Sequence, residues 1–451
     1  MSQPSAIPRY HNFIAGRWVP ARSQAVMEDR SPADWSDQVA WVASSDETDV
    51  QEAVAAALEA FPAWRARSPL ARGEVLLRAA AILRGRVEEI ARLFSREEGK
   101  PIGESRAEVV RAAQILEFFG GEGARLAGET LPSARSEVFL FTLREPLGVV
   151  GIITPWNFPI AIPAWKLAPA LVAGNTVVFK PASQAPVTGL MLVQALVEAG
   201  LPPGVLNVVL GSGGVVGKAL AESPHLQAVS FTGSTAVGSR LYREVTGRGL
   251  RCQCEMGGKN PLVVLADADL EMAVQLALDG AYRSAGQKCT ATSRIIVERP
   301  VARAFTEKFV QAAGALKVGH PLEEDTYVGP VVDQQQMETI LSYIRQGVEE
   351  GAQLVLGGRR RTEPPLERGF YVEPTVFTGV TPEMTIAQEE IFGPVAAILE
   401  AADFEDAVRL ANATRYGLSA SICTRNLSLA HRFIRQVEAG VVGVNLPTAG
   451  V

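Results

Sequence analysis

The chain has 451 residues, 47% of them hydrophobic, and a formal net charge of -6. That length exceeds what a single growing core accommodates, so two or three domains are expected. The mildly acidic balance excludes bulk attraction to nucleic acid or anionic lipid, and only four cysteines exclude a disulfide framework.

The first residues lack the basic stretch and apolar core of a secretory leader. No apolar run reaches the roughly 20 residues needed to cross a bilayer. The expectation is a cytoplasmic protein with neither membrane nor nucleic acid as partner. Arg359-Arg-Arg361 reads as a solvated loop.

In chain order, Phe13 to Val19 predicts a hairpin turning at Ala15-Gly16. Residues 45–125 predict helices, with amphipathic runs from Val50, from Leu70 to Leu93, and from Glu104 to Phe119. From Leu147 strands and helices alternate. Gly148–Ile153, Thr176–Phe179, Val205–Leu210 and Gln227–Phe231 read as strands, and 187–199 and 236–245 as helices. Short loops between them imply a parallel sheet covered on both faces. A second such region starts at Pro261–Leu265 and runs through a helix at 269–284 and strands at Arg294–Val297, Gln353–Leu356 and Ala396–Leu399. Helices at 302–313, 334–350, 404–413 and 427–438 complete it.

Several residues could carry chemistry. Cys289 lies in Ser284-Ala-Gly-Gln-Lys-Cys289, where small neighbours leave room for a ligand. It reads either as a nucleophile, acting through its thiolate, or as an inert buried thiol. Glu255 precedes Gly257-Gly258 and reads as a surface carboxylate or as a general base in a partly apolar cleft. Asn157 ends a strand candidate and is either a turn former or an amide donor for an oxyanion. Lys180 closes the next strand. Gly233-Ser-Thr-Ala-Val-Gly238 could hold a pyrophosphate at a helix start, although it is not the usual dinucleotide fingerprint. Cys252-Gln-Cys254 is half a metal site without companions, so no metal is expected.

Taken together, Pro155-Trp-Asn-Phe-Pro159, Phe231-Thr-Gly-Ser234, Glu255-Met-Gly-Gly258, Gly286-Gln-Lys-Cys289 and Glu390-Ile-Phe-Gly-Pro394 occur in the order found in NAD(P)-dependent aldehyde dehydrogenases. The chain resembles that family over nearly its whole length. The resemblance implies an α/β fold of two Rossmann-like α/β domains plus a small β oligomerisation element. Residues 1–126 and 146–254 would bind NAD(P), 255–440 would form the catalytic domain, and 127–145 with 441–451 the oligomerisation element. That last element is expected to be incomplete at the C-terminus, and a homo-dimer or homo-tetramer is implied.

By the same resemblance Cys289 attacks the aldehyde and Asn157 holds the oxyanion. Glu255 activates the water that hydrolyses the thioester, and Lys166 lies near the active site. Thr154, Pro155, Trp156, Lys180, Ser183, Gly213, Phe231, Gly233, Ser234, Gly257, Glu390 and Phe392 contact the cofactor. Ser183 stands where NAD-preferring relatives often carry Glu, so NADP is expected to be accepted, with or without NAD. The segments around Cys289 and Asn445-Leu-Pro-Thr-Ala-Gly450 resemble the branch that oxidises 2,5-dioxopentanoate (α-ketoglutaric semialdehyde). Succinate and glutarate semialdehydes are the alternative substrates. Arg283, Phe158 and Thr290 are assigned to the substrate pocket, Arg283 as the carboxylate partner. A CoA-acylating enzyme and a noncatalytic binding member of the same fold remain the other expectations.

Overall fold

The computed structural model describes residues 7–449. Two compact units emerge. The first holds the chain up to Arg30, Asp37–Glu97 and Gly103–Glu255; the second holds Ser31–Ser36, Glu98–Ile102 and the chain from Met256 onward.

The first unit is built on a seven-stranded sheet. Its strands are β1 (Asn12–Ile14), β2 (Arg17–Val19), β3 (Val149–Ile153), β4 (Thr176–Lys180), β5 (Leu206–Val208), β6 (Ala228–Thr232) and β7 (Arg251–Glu255). The order across the sheet is β7-β6-β3-β4-β5-β1-β2. β7 through β5 pair in parallel, whereas the hairpin β1–β2 joins β5 antiparallel. Ala15 and Gly16 at its turn have φ of 51° and 80°, the left-handed pair that a two-residue hairpin demands. β3 and β4 are buried at every position, as the apolar run of β3 anticipates; in β4 the burial extends to Thr176 and Lys180.

The helical span expected over 45–125 is four helices: Glu47–Ala66, Pro69–Gly85, Val87–Glu98 and Ile102–Glu122. The single run expected from Leu70 to Leu93 breaks near Gly85 and Arg86, because glycine is a poor helix former and Arg86 leaves helical geometry. Ser68 caps the second helix by accepting from Ala71 N at 3.2 Å. A two-stranded ribbon, Thr130–Leu131 with Leu140–Phe141, projects exposed Leu131, Phe139, Phe141 and Leu143.

The second unit has its own seven-stranded sheet: β8 (Asn260–Val264), β9 (Thr292–Glu298), β10 (Gln353–Leu356), β11 (Thr375–Thr378), β12 (Val395–Ala401), β13 (Ser419–Cys423) and β14 (Val441–Val444). The order is β10-β11-β12-β9-β8-β13-β14, parallel except for β10 on β11. Its core packs Leu262, Ile295, Ile296, Phe305, Phe309, Phe377 and Ile398 against helices on both faces. β14 falls within the segment expected to serve oligomerisation; residues 450 and 451 of that segment lie outside the described residues. β7, β11, β13 and β14 were not anticipated. β7 is too polar to read as a strand, and the others are runs of only four or five residues. Among the described residues no helix is long and apolar enough to cross a membrane.

Candidate active site

In the first unit the candidate residues sit where parallel strands end. β3 leads into Thr154, Pro155, Trp156, Asn157 and Phe158. β4 ends on Lys180 and leads to Ser183, β5 leads to Gly213, β6 carries Phe231 and leads to Gly233 and Ser234, and β7 ends on Glu255. The chain lays β4 and β5 to one side of β3, then returns to pair β6 with its other edge. Such a reversal opens a crevice at the carboxyl ends of the two strands. Thr154 and Asn157 follow one of them, Gly233 and Ser234 the other. Asn157 is buried, and the helix after it, Ala161–Val172, starts on Glu108, whose Oε1 accepts from Ile160 N at 3.3 Å and Ala161 N at 3.2 Å.

The residues fit a dinucleotide. Thr154 Oγ1 and Thr235 Oγ1 are buried without a hydrogen-bond partner, one on each side of the reversal. Buried hydroxyls are seldom left so unless a ligand or water completes them. Ser234 caps the helix Thr235–Gly247 by accepting from Val237 N at 3.4 Å, which leaves its own proton to donate near a helix N-terminus suited to an anion. A Cβ at Gly213 or Gly214 would meet nothing within 4 Å, so that turn is open. Lys180 is buried and its Nζ donates to Pro181 O at 2.7 Å; burial pushes the ammonium down to about 8. An ammonium has three donors, so two remain for a ligand. Ser183 Oγ donates to Gly211 O at 2.9 Å, which ties the loop after β4 to the loop after β5.

Glu255 is exposed, which corrects the expectation of a partly apolar cleft around it. β7 is the edge strand of its sheet, and its alternation turns Arg251, Gln253 and Glu255 outward and Cys252 and Cys254 inward. The residue is nonetheless held, at its carboxylate and at its main chain. Gln253 Nε2 donates to Glu255 Oε1 at 2.9 Å, and Gly233 N donates to Glu255 O at 3.1 Å. Buried Lys166 donates to Ser230 Oγ at 2.8 Å, Gln253 Oε1 at 2.9 Å and Phe231 O at 3.2 Å. Burial pushes Lys166 down to about 8, with Glu255 opposing the shift.

In the second unit the candidate residues come before the strands. Gly257 and Gly258 precede β8, Cys289 and Thr290 precede β9, and Glu390 and Phe392 precede β12. Helix Leu270–Tyr282 runs into a short turn in which Ser284, Ala285 and Gly286 have φ of 53°, 52° and 69°. Two non-glycine residues in left-handed geometry are costly, and such strain collects at functional sites. A Cβ on Gly286 would overlap Gly393 O, so only glycine fits. Cys289 follows, half-buried, at a point pinned from both sides. Asn260 Nδ2 donates to Cys289 O at 2.8 Å and Ala291 O at 2.9 Å, while its Oδ1 accepts from Ser419 N at 3.1 Å. Thr448 Oγ1 donates to Thr290 O at 2.8 Å and meets Thr292 Oγ1 at 2.7 Å.

Glu390 accepts from Gly258 N at 3.1 Å, and a Cβ on Gly257 would overlap its carboxylate. Burial pushes Glu390 up to about 7, against the pull of the Gly258 N–H and of Lys259. Phe392 has φ 56°, and Gln336 Nε2 donates to its carbonyl at 3.0 Å. Arg283 opens the strained turn; its Nε donates to Asp279 Oδ1 at 3.2 Å and its guanidinium lies 4.2 Å over the Tyr327 ring. The Cys252 and Cys254 sulfurs are 3.5 Å apart. Among the described residues no group of three or more His, Cys, Asp or Glu could hold a metal.

Sequence reasoning missed Asn260, Gln253, Thr235 and Thr448. Gln253 shares a face with Glu255 by alternation, a signal that can be read only once β7 is known to be a strand. Asn260 had none, because its partners are 29 to 159 positions away.

A family model described as aldehyde dehydrogenase family matches residues 18–451. The α-ketoglutaric semialdehyde dehydrogenase of Bacillus subtilis (strain 168) is 47% identical over 98% of this chain and 91% of that protein. A crystal structure of an NAD-dependent aldehyde dehydrogenase from Sinorhizobium meliloti superposes with a TM-score of 0.96 at 38% identity, covering 100% of this chain and 90% of that one. An NADP-dependent enzyme of E. coli gives 0.94 at 35% identity, over 99% and 92%.

Proposed function

Since the chain belongs to the aldehyde dehydrogenase family and catalyses NAD(P)-dependent oxidation of an aldehyde, we propose that its substrate is a semialdehyde acid, 2,5-dioxopentanoate first among them. The observation that carries this is the likeness to the Bacillus subtilis enzyme along nearly the whole chain.

In this reading Cys289 adds to the aldehyde carbon as a thiolate and forms a thiohemiacetal. The Asn157 amide and the Cys289 N–H donate to its oxygen. The bound dinucleotide supplies the hydride acceptor. Loss of hydride leaves a thioester on Cys289, and Glu255 takes a proton from the water that hydrolyses it. Thr154, Lys180, Ser183 and Ser234 hold the adenosine and pyrophosphate portions, and Glu390 with Phe392 holds the nicotinamide end. Lys180 supports this with its two remaining donors, and Gly257 by making room for the Glu390 carboxylate. Ser183 presents no negative charge to a 2′-phosphate, so NADP is accepted. Arg283 recognises the distal carboxylate; stacking on Tyr327 helps to orient its planar guanidinium.

The exposed apolar ribbon with Phe139 and Phe141 supports association into a homo-dimer or homo-tetramer. A reducing, cytoplasmic setting suits a reaction that needs Cys289 as a free thiol.

A panel of 2,5-dioxopentanoate, succinate semialdehyde, glutarate semialdehyde and neutral aldehydes, each with NAD and NADP, tests the proposal. The highest kcat/KM is expected for 2,5-dioxopentanoate, and Arg283→Ala is expected to raise KM for the acids alone, by roughly tenfold. A neutral aldehyde turned over as efficiently as the acids sinks the substrate assignment. An equal loss for both classes in Arg283→Ala removes that residue from it.

A further inference from the structure

We propose that Gln253 is a positioning residue that aims Glu255 for the hydrolytic half of the reaction. The inference rests on the reading of Glu255 as the base that activates water.

The geometry begins at Lys166. Its ammonium is buried, and all three of its donors are used, on Ser230 Oγ, Gln253 Oε1 and Phe231 O. Ser230 Oγ accepts from Lys166 and therefore spends its own proton on Gln253 Oε1, at 2.6 Å. The ammonium can only donate, so the Gln253 amide oxygen must face it, and the Ser230 hydroxyl donates to that same oxygen. That leaves the NH2 end no choice but to point away, and it donates to Glu255 Oε1 at 2.9 Å. The amide is thus oriented by chemistry, and no flipped alternative satisfies the ammonium.

The sheet register makes the arrangement possible. Ser230 pairs with Gln253 and Thr232 with Glu255 in parallel β6 and β7. Positions 253 and 255 lie on one face of β7, two residues apart, where an amide and a carboxylate can meet. The main chain of Glu255 is fixed separately by Gly233 N. What the backbone leaves loose is the side chain. An exposed glutamate samples many rotamers, and a single donor aimed along the strand reduces them to those that keep Oε1 on Gln253. The second carboxylate oxygen then faces outward, where water is met.

This role differs from a stabilising one. The bond from Gln253 to Glu255 lies at an exposed sheet edge, where its loss by itself has little effect on folding. It also differs from a role in the first half-reaction, because thiohemiacetal formation and hydride loss do not use the base.

The test separates the half-reactions by stopped-flow measurement of NAD(P)H formation, with Gln253→Met, Ser230→Ala and Glu255→Gln. For Gln253→Met we expect a burst of about one equivalent per active site at the wild-type rate and unchanged KM for both substrates. Steady-state turnover is expected to fall roughly tenfold, within the range an acid–base group supplies. Hydroxylamine attacks the thioester directly, giving a hydroxamate and the free thiol, so it should restore turnover. Ser230→Ala should slow the same step by a smaller factor, about threefold, and gives an independent reading should Gln253→Met fold poorly. Unchanged turnover in both variants, with Glu255→Gln arrested after its burst, overturns the inference and leaves Glu255 as base. A slowed burst in Gln253→Met also overturns it. Normal turnover in Glu255→Gln overturns the reading of the base itself.

Discussion

The two sheets are each seven-stranded and largely parallel, and they use their strand ends in opposite senses. In the first, the candidate residues follow the parallel strands: Thr154 after β3, Lys180 at the end of β4, Gly213 after β5, Gly233 after β6 and Glu255 at the end of β7. In the second they precede them: Gly258 before β8, Cys289 before β9, Glu390 before β12. The carboxyl ends of the second sheet are closed instead. Asp267 accepts from Thr424 Oγ1 and Arg425 N, Asn445 bridges to the Thr424 backbone, and Glu298 accepts from Ala266 N. Strand ends that lead into helix N-termini offer unpaired N–H groups to an anionic cofactor. Strand beginnings are reached through tight turns, which can present a single nucleophile in strained geometry. An α/β sheet therefore does not settle by itself which of its ends works; the loops' hydrogen bonds do.

The largest expected effect comes from the second sheet's working end. Asn260→Leu removes the partner of Cys289 O, Ala291 O and Ser419 N together. The burst of NAD(P)H should slow by about 100-fold, since small displacements of a nucleophile are that costly. Thermal unfolding should also show a loss of about 2–3 kcal/mol. Lower stability with an unchanged burst would reduce that end of the sheet to scaffolding.

A smaller effect belongs to the first sheet. Ser183→Glu places a carboxylate after β4 and should lower kcat/KM for NADP relative to NAD by roughly tenfold, leaving the aldehyde KM alone. A shift in the aldehyde KM instead would blur the division between the sheets.

The remaining effect is a pH dependence. Glu390 is pushed up to about 7 from an ordinary 4.5, so the folded protein holds a proton that the unfolded chain has released. Its contribution is full below pH 4.5 and is lost as pH rises through about 7. Relative to Glu390→Gln, wild-type stability should fall across that window by at most about 3 kcal/mol. Cofactor affinity should rise over the same window, because the charged carboxylate accepts ribose hydroxyls more strongly. Parallel stability curves for the two proteins would place Glu390 in a wetter setting than its burial indicates.

Much of the fold was legible because it is local. The apolar run at 148–153 announced a buried strand, Thr176–Phe179 a second one, and Ala15-Gly16 a hairpin turn. The four early helices were visible as a block but not in their division, which hinges on Gly85 and Arg86. β7 was hidden because Arg251-Cys-Gln-Cys-Glu255 looks polar; its alternation has meaning only once it is known to lie at a sheet edge.

Residue types and their order along the chain were enough to identify the family, to single out Cys289, Glu255 and Asn157, and to indicate a dinucleotide. Those properties belong to short segments whose chemistry travels with them. Only the tertiary structure could decide how each is held. Asn260 reaches Cys289 across 29 residues, Thr448 reaches Thr290 across 158, and Lys166 reaches Gln253 across 87. A hydrogen bond is indifferent to sequence separation and depends on angstroms, and those distances exist only after the sheets have set their registers.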